Sequence, residues 1–312
     1  MFGVLFQTHK LCAEEPLKIR AGIYPIKIES LVLKDGKFQA DFYIWFSWRG
    51  PKKLPGFEIM NGAYQFVGAP ELDELPDGSH YEAYRIKGVF NVDVELHNYP
   101  FDRHRLEVQV ENQEMDRSEL IYVPDSENMK SLQNLSKLMG WKTRSAGVFE
   151  RAHVYTTNFG RKEDSPTSEY SQLAYQVVVE RRFMSYIMKS SFPIFVIVLM
   201  SLLALWVHPE VIAVRASIGI TTLLSIVAYH VTLGNTLPDV GYMVTSDYFF
   251  MMAYVCCALS LVETVVTNRI YVQKKLIADA VRADKKVFFS LLAFFTIGYV
   301  FIIAMKLMSA AR

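Results

Sequence analysis

"RASIGITTLLSIVAYHVTLGN", residues 215–235, is long enough to cross a membrane, yet it opens on a charge and carries Ser217, Thr221, Thr222, Ser225, His230 and Thr232. A helix surrounded by lipid gains nothing from those groups. Wound as a helix, Ser217, Thr221, Leu224, Ala228, Val231 and Asn235 recur at steps of four and three and form one stripe. The stripe is small and hydroxylic at its Arg215 end, apolar in the middle, and closes on an amide. One helix cannot enclose water, but several copies around an axis can, with rings of hydroxyl, apolar and polar side chains facing the space between them. Small-residue packing between helices uses the same residue types. Arg215 favours the first reading, because an ionisable residue at membrane depth borders a pathway or an interface.

Three further apolar segments flank this one. Together the four run over about 186–207, 211–233, 248–266 and 287–308, each near the ~20 residues that span a bilayer core. A buried soluble helix explains any one of them but not four in succession. The link between the third and fourth carries Arg269, Lys274, Lys275, Arg282, Lys285 and Lys286, whereas the link between the second and third carries Asp239 and no basic residue. Positive charge marks the cytoplasmic side. Four crossings then put both termini outside, extracellular or periplasmic, in a multi-pass protein of the cell membrane. The opening "MFGVLFQTHKLCAEE" lacks a complete leader, so a signal peptide is expected in the precursor.

Before residue 181 the pattern changes. "YPIKIESLVL" (24–33), "KFQADFYIWFSW" (37–48), "HRLEVQVE" (104–111) and "SQLAYQVVVE" (171–180) alternate apolar and polar residues, as half-buried strands do. Asp35-Gly36 between two such runs is a hairpin signal. Turns at Pro51, Pro55-Gly56 and Pro76-Asp77-Gly78 separate others. An all-β immunoglobulin-like sandwich over 1–181 followed by a four-helix transmembrane bundle over 182–312 is the expected architecture.

Of the 32 acidic residues, 26 precede residue 181, so the outer domain is acidic while the whole chain is near neutral at +1. Neutrality removes the electrostatic case for nucleic acid. Cys12, Cys256 and Cys257 form no ligand spacing, and no nucleophile motif, phosphate loop or catalytic carboxylate pair is present. Neither an enzyme nor a metal or cofactor site is expected. Glu71, Asp73, Glu74 and Asp77 suit either a divalent cation or a solvated loop. His97, His104 and His230 are candidates to titrate near neutrality, or are structural.

The chain resembles pentameric ligand-gated ion channels of the bacterial branch of the Cys-loop receptor superfamily. "NYPFD" (98–102) is similar to the signature loop, with Val92 and Leu106 where the family's cysteines stand. Arg181 precedes Pro193 by the family's twelve residues, "RASIGITTLLS" resembles the pore helix, and "NTLPDVGY" its outer loop. The resemblance implies a homopentamer in membrane lipid, passing ions through a pore lined by Arg215, Ser217, Thr221, Leu224, Ala228, Val231 and Asn235, with Leu224 at the hydrophobic gate. It implies an agonist site between subunits near Tyr43, Phe159 and Tyr170, for a small molecule or protons. The family's aromatic near Gln113-Glu114 is missing, and "FEIMN" stands where the family has a W-x-P-E motif. It also implies a joint between domains at Asp35, Asp102, Arg181, Leu237 and Pro238.

Ala213 and Val214 stand where cation-passing relatives carry Glu, and the run also resembles anion pores. The acidic outer domain and Glu210 point to cations. The alternatives are an anion-selective channel of the same family and a non-conducting membrane-anchored ligand sensor. A carrier would show repeats or broken helices, which are not visible.

Overall fold

The computed structural model describes residues 15–51, 53, 56–128, 138–157, 167–274 and 277–310. Ten strands make two sheets. One contains β1 (Leu17–Val32), β2 (Lys37–Trp48), β4 (Gly62–Phe66), β5 (Glu71–Glu74), β6 (His80–Asn91) and β8 (Leu120–Pro124), in the order β4-β6-β2-β1-β8, with β5 also on β6. The other runs β3-β7-β10-β9, from β3 (Phe57–Ile59), β7 (Arg103–Asn112), β9 (Trp141–Tyr155) and β10 (Ser168–Arg181). Alternation sends Phe38, Phe42 and Phe46 of β2 inward, against Leu106, Val108 and Val110 of β7 and Leu173, Tyr175 and Val177 of β10. The β1–β2 hairpin turns through Leu33–Asp35 into Gly36, whose φ of 61° suits a residue without Cβ.

The chain leaves β10 at Arg181 and turns helical at once. α1 (Phe183–Tyr186), a π-turn at Ile187–Ser191 and α2 (Phe192–Leu203) make the first apolar span, with Pro193 in the first turn of α2, where its missing N–H costs nothing. α3 (Ile212–Gly234), α4 (Thr245–Lys274) and α5 (Ile277–Ala310) follow. Four helical spans are long and apolar enough to cross a membrane. α5 begins at Ile277 rather than at 287, because its first three turns are amphipathic rather than apolar. Asp284 faces inward there, and Arg282, Lys285 and Lys286 face outward.

α3 packs on α2 and α4 through Arg215, Gly219, Thr222 and Ile226, at steps of four, three and four. A Cβ at Gly219 would stand 3.0 Å from Leu261 Cδ1, so that glycine sets the approach of α3 to α4. Arg215 does not join the expected stripe. Its side chain is fully buried inside the bundle, where Nη2 meets Asp284 Oδ1 at 2.7 Å. Nε donates to the Ala204 carbonyl at 3.1 Å and Nη2 to that of Leu205 at 3.4 Å. Thr267 of α4 donates to the same Asp284 oxygen at 2.9 Å. A guanidinium that faces no bulk water needs a carboxylate, and the partner here comes from the last helix.

Removing one member of this pair leaves a buried charge, at a cost of about 3–5 kcal/mol. Asp284→Asn is therefore expected to lower the thermal unfolding midpoint of the purified protein, followed by helical circular dichroism. Arg215→Leu/Asp284→Leu together should cost less than Asp284→Asn alone. An unchanged midpoint for Asp284→Asn would remove the pair from its central role.

Candidate functional site

With Arg215 locked inward, the opposite face of α3 is exposed along its length. Ser217, Thr221, Leu224, Ala228, Val231 and Asn235 all lie on it, and Leu224 is 64% exposed. Ser225 and Thr232 also face out, and their hydroxyls donate to the Thr221 and Ala228 carbonyls of their own helix, both at 2.8 Å. Below Arg215 the exposed residues are Ala213, Val214 and Glu210, the last 71% exposed in its side chain and 3.8 Å from His208.

The outer end of α3 runs into a joint with the β domain. Asp102 of the loop before β7 is fully buried and takes two hydrogen bonds from Arg181, Nε to Oδ1 at 2.7 Å and Nη2 to Oδ2 at 2.9 Å. His104 Nε2 shares Oδ2 at 2.6 Å. Burial alone would raise the Asp102 carboxyl, but the His104 and Arg181 contacts more than offset it and hold it below the usual carboxylate range. The Arg181 guanidinium also lies 4.4 Å from the Trp141 ring and 4.9 Å from that of Tyr99.

Around this pair the signature loop grips the membrane helices. The Tyr242 hydroxyl oxygen accepts from the Leu96 N–H at 3.0 Å, and its ring stacks on His97 at 3.7 Å. Thr245 Oγ1 donates to the His97 carbonyl at 2.9 Å, and Lys306 of α5 to Asn98 Oδ1 at 2.9 Å. Val244 belongs to the core of the β domain, with Leu237, Val240 and Tyr242 packed against it.

Asp35, expected beside Asp102 and Arg181, is instead exposed at the hairpin tip. Its neighbour Lys34 makes the crossing, donating to the Asn235 carbonyl at 3.1 Å. Lys34 and Pro238 line a cavity of about 540 Å³ together with His230, Asp239 and Asp247. His230 stacks on Phe250 at 4.2 Å and bonds Tyr254 at 2.9 Å, so it looks back into its own subunit.

The expected agonist residues are spread over both sheets. Tyr43 stands half-exposed on β2, paired across the sheet with Tyr24 and Arg85. Tyr170 lies on the other sheet and meets Tyr155 edge-on at 5.6 Å. Phe159 lies outside the described residues. Beside Tyr170 is a group the sequence did not single out. The Glu111 carboxylate is buried and accepts from Gln172 Nε2 at 2.6 Å and from the Tyr155 hydroxyl at 2.8 Å, and it also bonds His153 Nδ1. Burial, and the hydrogen bond to Glu111, push the Tyr155 hydroxyl well up from its ordinary value. The alternation of "HRLEVQVE" placed Glu111 on the outer face of β7, but its partners stand 42, 44 and 61 residues away and carry no sequence signal.

Among the described residues no group of three or more His, Cys, Asp or Glu is placed to hold a metal. Asp77 of the acidic stretch is already engaged. Ser79, through its hydroxyl and its N–H, and Arg49 hold that carboxyl down at about 2.

Residues 191–297 match the neurotransmitter-gated ion-channel transmembrane region. The chain is 22% identical over 284 residues to a proton-gated ion channel of Gloeobacter violaceus, covering 84% of this chain and 76% of that protein. It is 25% identical over 178 residues to a gamma-aminobutyric acid receptor subunit beta of Lymnaea stagnalis, and 25% over 201 residues to a beta-like subunit of Drosophila melanogaster. These matches cover 57% and 62% of this chain, and 34% and 36% of the two receptor subunits. The chain thus spans about a third of the length of those subunits.

Residues 191–297 carry the neurotransmitter-gated ion-channel transmembrane region, and the chain is similar to channels of the pentameric Cys-loop superfamily. Its β-sandwich is the extracellular domain of a multi-pass membrane protein, and the matched proteins are channels and receptors rather than enzymes. Val92 and Leu106, which stand where the resemblance places the family's cysteines, are buried in the sandwich core. Packing therefore holds the signature loop to β7 where a disulfide is absent.

The Asp102–Arg181 pair should be worth a coupling of about 0.5–3 kcal/mol in a double-mutant cycle on stability. Because the folded carboxyl titrates below its unfolded value, its contribution is complete above about pH 4 and is lost as pH falls through the lowered folded value. The stability gap between the natural protein and Asp102→Asn should accordingly close on acidification. Additive effects of Asp102→Asn and Arg181→Gln would show that Arg181 serves only as a headgroup anchor.

Proposed function

We propose that five copies of this chain assemble around α3 and conduct ions through the space between them, opened by a stimulus received in the extracellular domain. The observation that carries this reading is the rotation of α3. Its one charge is turned into the bundle, while the small-polar and apolar side chains from Ser217 to Val231 are left exposed among the described residues. A lipid anchor has no use for aligned hydroxyls, and a helix that merely packs would bury them.

Leu224 is then the gate. Five leucines at one height offer an ion's water shell no hydrogen-bond partner, and such a ring blocks by dewetting before it closes sterically. Cation passage is favoured by two features. Arg215 is withdrawn from the pathway, and Glu210 is the acid exposed at its inner mouth. An anion-selective pore is the second reading, favoured by the similarity to gamma-aminobutyric acid receptor subunits and by the run after Val214.

The stimulus is received where Tyr170, Tyr155, His153 and Glu111 of one subunit meet Tyr43 of the next. In a single chain Tyr43 and Tyr170 belong to different sheets, which fits a site shared between neighbouring subunits. A buried carboxylate beside two tyrosine rings suits a protonated amine. The His153–Glu111 pair suits protons, as the name of the Gloeobacter relative suggests.

One set of recordings tests the whole reading: the purified protein, shown to be pentameric, in planar bilayers under a salt gradient with pH steps and small amines. Unit currents are expected, with a reversal potential on the cation side. Leu224→Ser should shift the open/shut ratio toward open by about tenfold, the effect of ~1.4 kcal/mol. Tyr170→Ala should weaken the response at unchanged unit conductance. A pentamer that never conducts supports the anchored sensor instead, and a normal shut probability in Leu224→Ser removes the gate.

A further inference from the structure

Along β7, Arg103, Arg105, Glu107 and Gln109 alternate with the buried His104, Leu106, Val108 and Val110, so the four polar side chains share the outer face of the sandwich. β10 covers one edge of β7 from Arg103 to Val110, but β3 covers the other edge only from Val110 to Asn112. Beyond β3, Asn61 stands in for a strand. Its side chain donates to the Glu107 carbonyl at 2.7 Å and to that of Asn91 at 3.3 Å, and accepts from the Gln109 N–H at 3.1 Å. The edge left open there borders a cavity of about 710 Å³, a volume that suits a small ligand. Arg103, Arg105 and Arg151 line it from β7 and β9, and Asp93 and Glu95 from the segment between β6 and the signature loop. Arg151 is held by Gln172 at 2.6 Å and by Glu107 at 3.2 Å. Arg103 lies 3.8 Å from Glu180, and Glu95 lies 3.7 Å from His97. Arg105 and Asp93 have no ion-pair partner among the described residues.

We propose that this cavity is a second ligand site of the outer domain and takes a small zwitterion, its carboxylate on Arg105 and its ammonium on Asp93. A guanidinium presents a fork that a carboxylate fills with two hydrogen bonds. The unpaired carboxylate of Asp93 takes a cation in turn, and the amides of Asn61, Asn91 and Gln109 line the space with further donors and acceptors. A simple anion would meet Asp93 and Glu95, and a simple cation would meet three arginines, so a molecule carrying both signs is the one that neither wall rejects. The site is separate from the group around Tyr170, since neither Tyr43, His153, Tyr155 nor Tyr170 lines it. It lies against the joint between domains. Arg103 follows Asp102 in the chain and approaches Glu180, the residue before Arg181, so an occupant touches β7 where the Asp102–Arg181 pair begins.

Since neither Arg105 nor Asp93 has an ion pair to lose, Arg105→Gln and Asp93→Asn leave the ion pairs of the fold intact. The probe is ε-aminocaproate, a flexible chain with a carboxylate at one end and an ammonium at the other. Caproate and hexylammonium carry one of those charges each on a chain of the same length. Calorimetric titration of the purified full chain in detergent, with detergent alone as the blank, reads binding without any measurement of conduction. The zwitterion is expected to bind at least about tenfold more tightly than either single-charge chain, because one charged hydrogen bond supplies about that factor. Arg105→Gln and Asp93→Asn should each weaken its binding by about tenfold. A single-charge chain that binds as tightly as the zwitterion, or an unchanged affinity in Asp93→Asn, would overturn the ligand class. An unchanged affinity in Arg105→Gln would put the probe elsewhere and overturn the site, as would the absence of binding to the natural protein.

Discussion

The membrane half of this protein is organised by the buried pair between Arg215 and Asp284. A charge removed from water is tolerated only when every neighbour is arranged for it. Here those neighbours come from all four spans: the Ala204 and Leu205 carbonyls close the first, Arg215 opens the second, Thr267 belongs to the third and Asp284 to the fourth. The tie fixes rotation as well as position. A helix anchored inward at Arg215 presents Gly219, Thr222 and Ile226 to its neighbours, and by the same 3.6-residue period it turns Ser217, Thr221, Leu224 and Ala228 away from them. The exposed stripe is thus a consequence of where one arginine is held.

At the other end of α3 the constraint is of a different kind. The loop from Leu237 to Val244 is packed into the hydrophobic core of the β domain, and its Tyr242 is clamped between the Leu96 N–H and the His97 ring. Lys34 reaches the Asn235 carbonyl from the β1–β2 hairpin. Movement of either sheet relative to the membrane therefore acts on the outer end of α3 through packed side chains and hydrogen bonds rather than through a flexible linker. That is the sort of contiguous contact through which sites are coupled. Asp102 and Arg181 keep the first span in the same unit, since Arg181 ends β10 one residue before Arg182 leads into α1.

Much of this was legible in the sequence because it is periodic or local. Alternation in "KFQADFYIWFSW" marks the buried face of β2, length and apolarity mark the spans, and the step of four and three marks the stripe of α3. What was not legible depends on residues far apart in the chain. Arg215 read as pore-lining from the resemblance and from its charge at membrane depth, and its partner Asp284 stands 69 positions later in a run that reads as a basic link. The resemblance put Asp35 in the joint, but which of two adjacent side chains reaches across is decided by the backbone of Leu33–Asp35. The Glu111 group needs residues from β7, β9 and β10 in register, and register is a property of the folded sheet.

The middle of α3 shows how a helix can carry hydroxyls on an exposed face and still offer few free donors there. Ser225 and Thr232 turn their protons back to carbonyls one turn earlier in the same helix, at 2.8 Å each. On the buried side Thr222 does the same toward Ile218 and Gly219. A hydroxyl so occupied has given its one proton and has less to offer passing water. Leu224 lies between Thr221 and Ala228 on this face, with Ser225 beside it already satisfied. The apolar zone is therefore wider than the single leucine suggests. The inner and outer ends of the helix are held by a buried charge and by a packed loop, whereas the outward face between them is tied to nothing in its own chain.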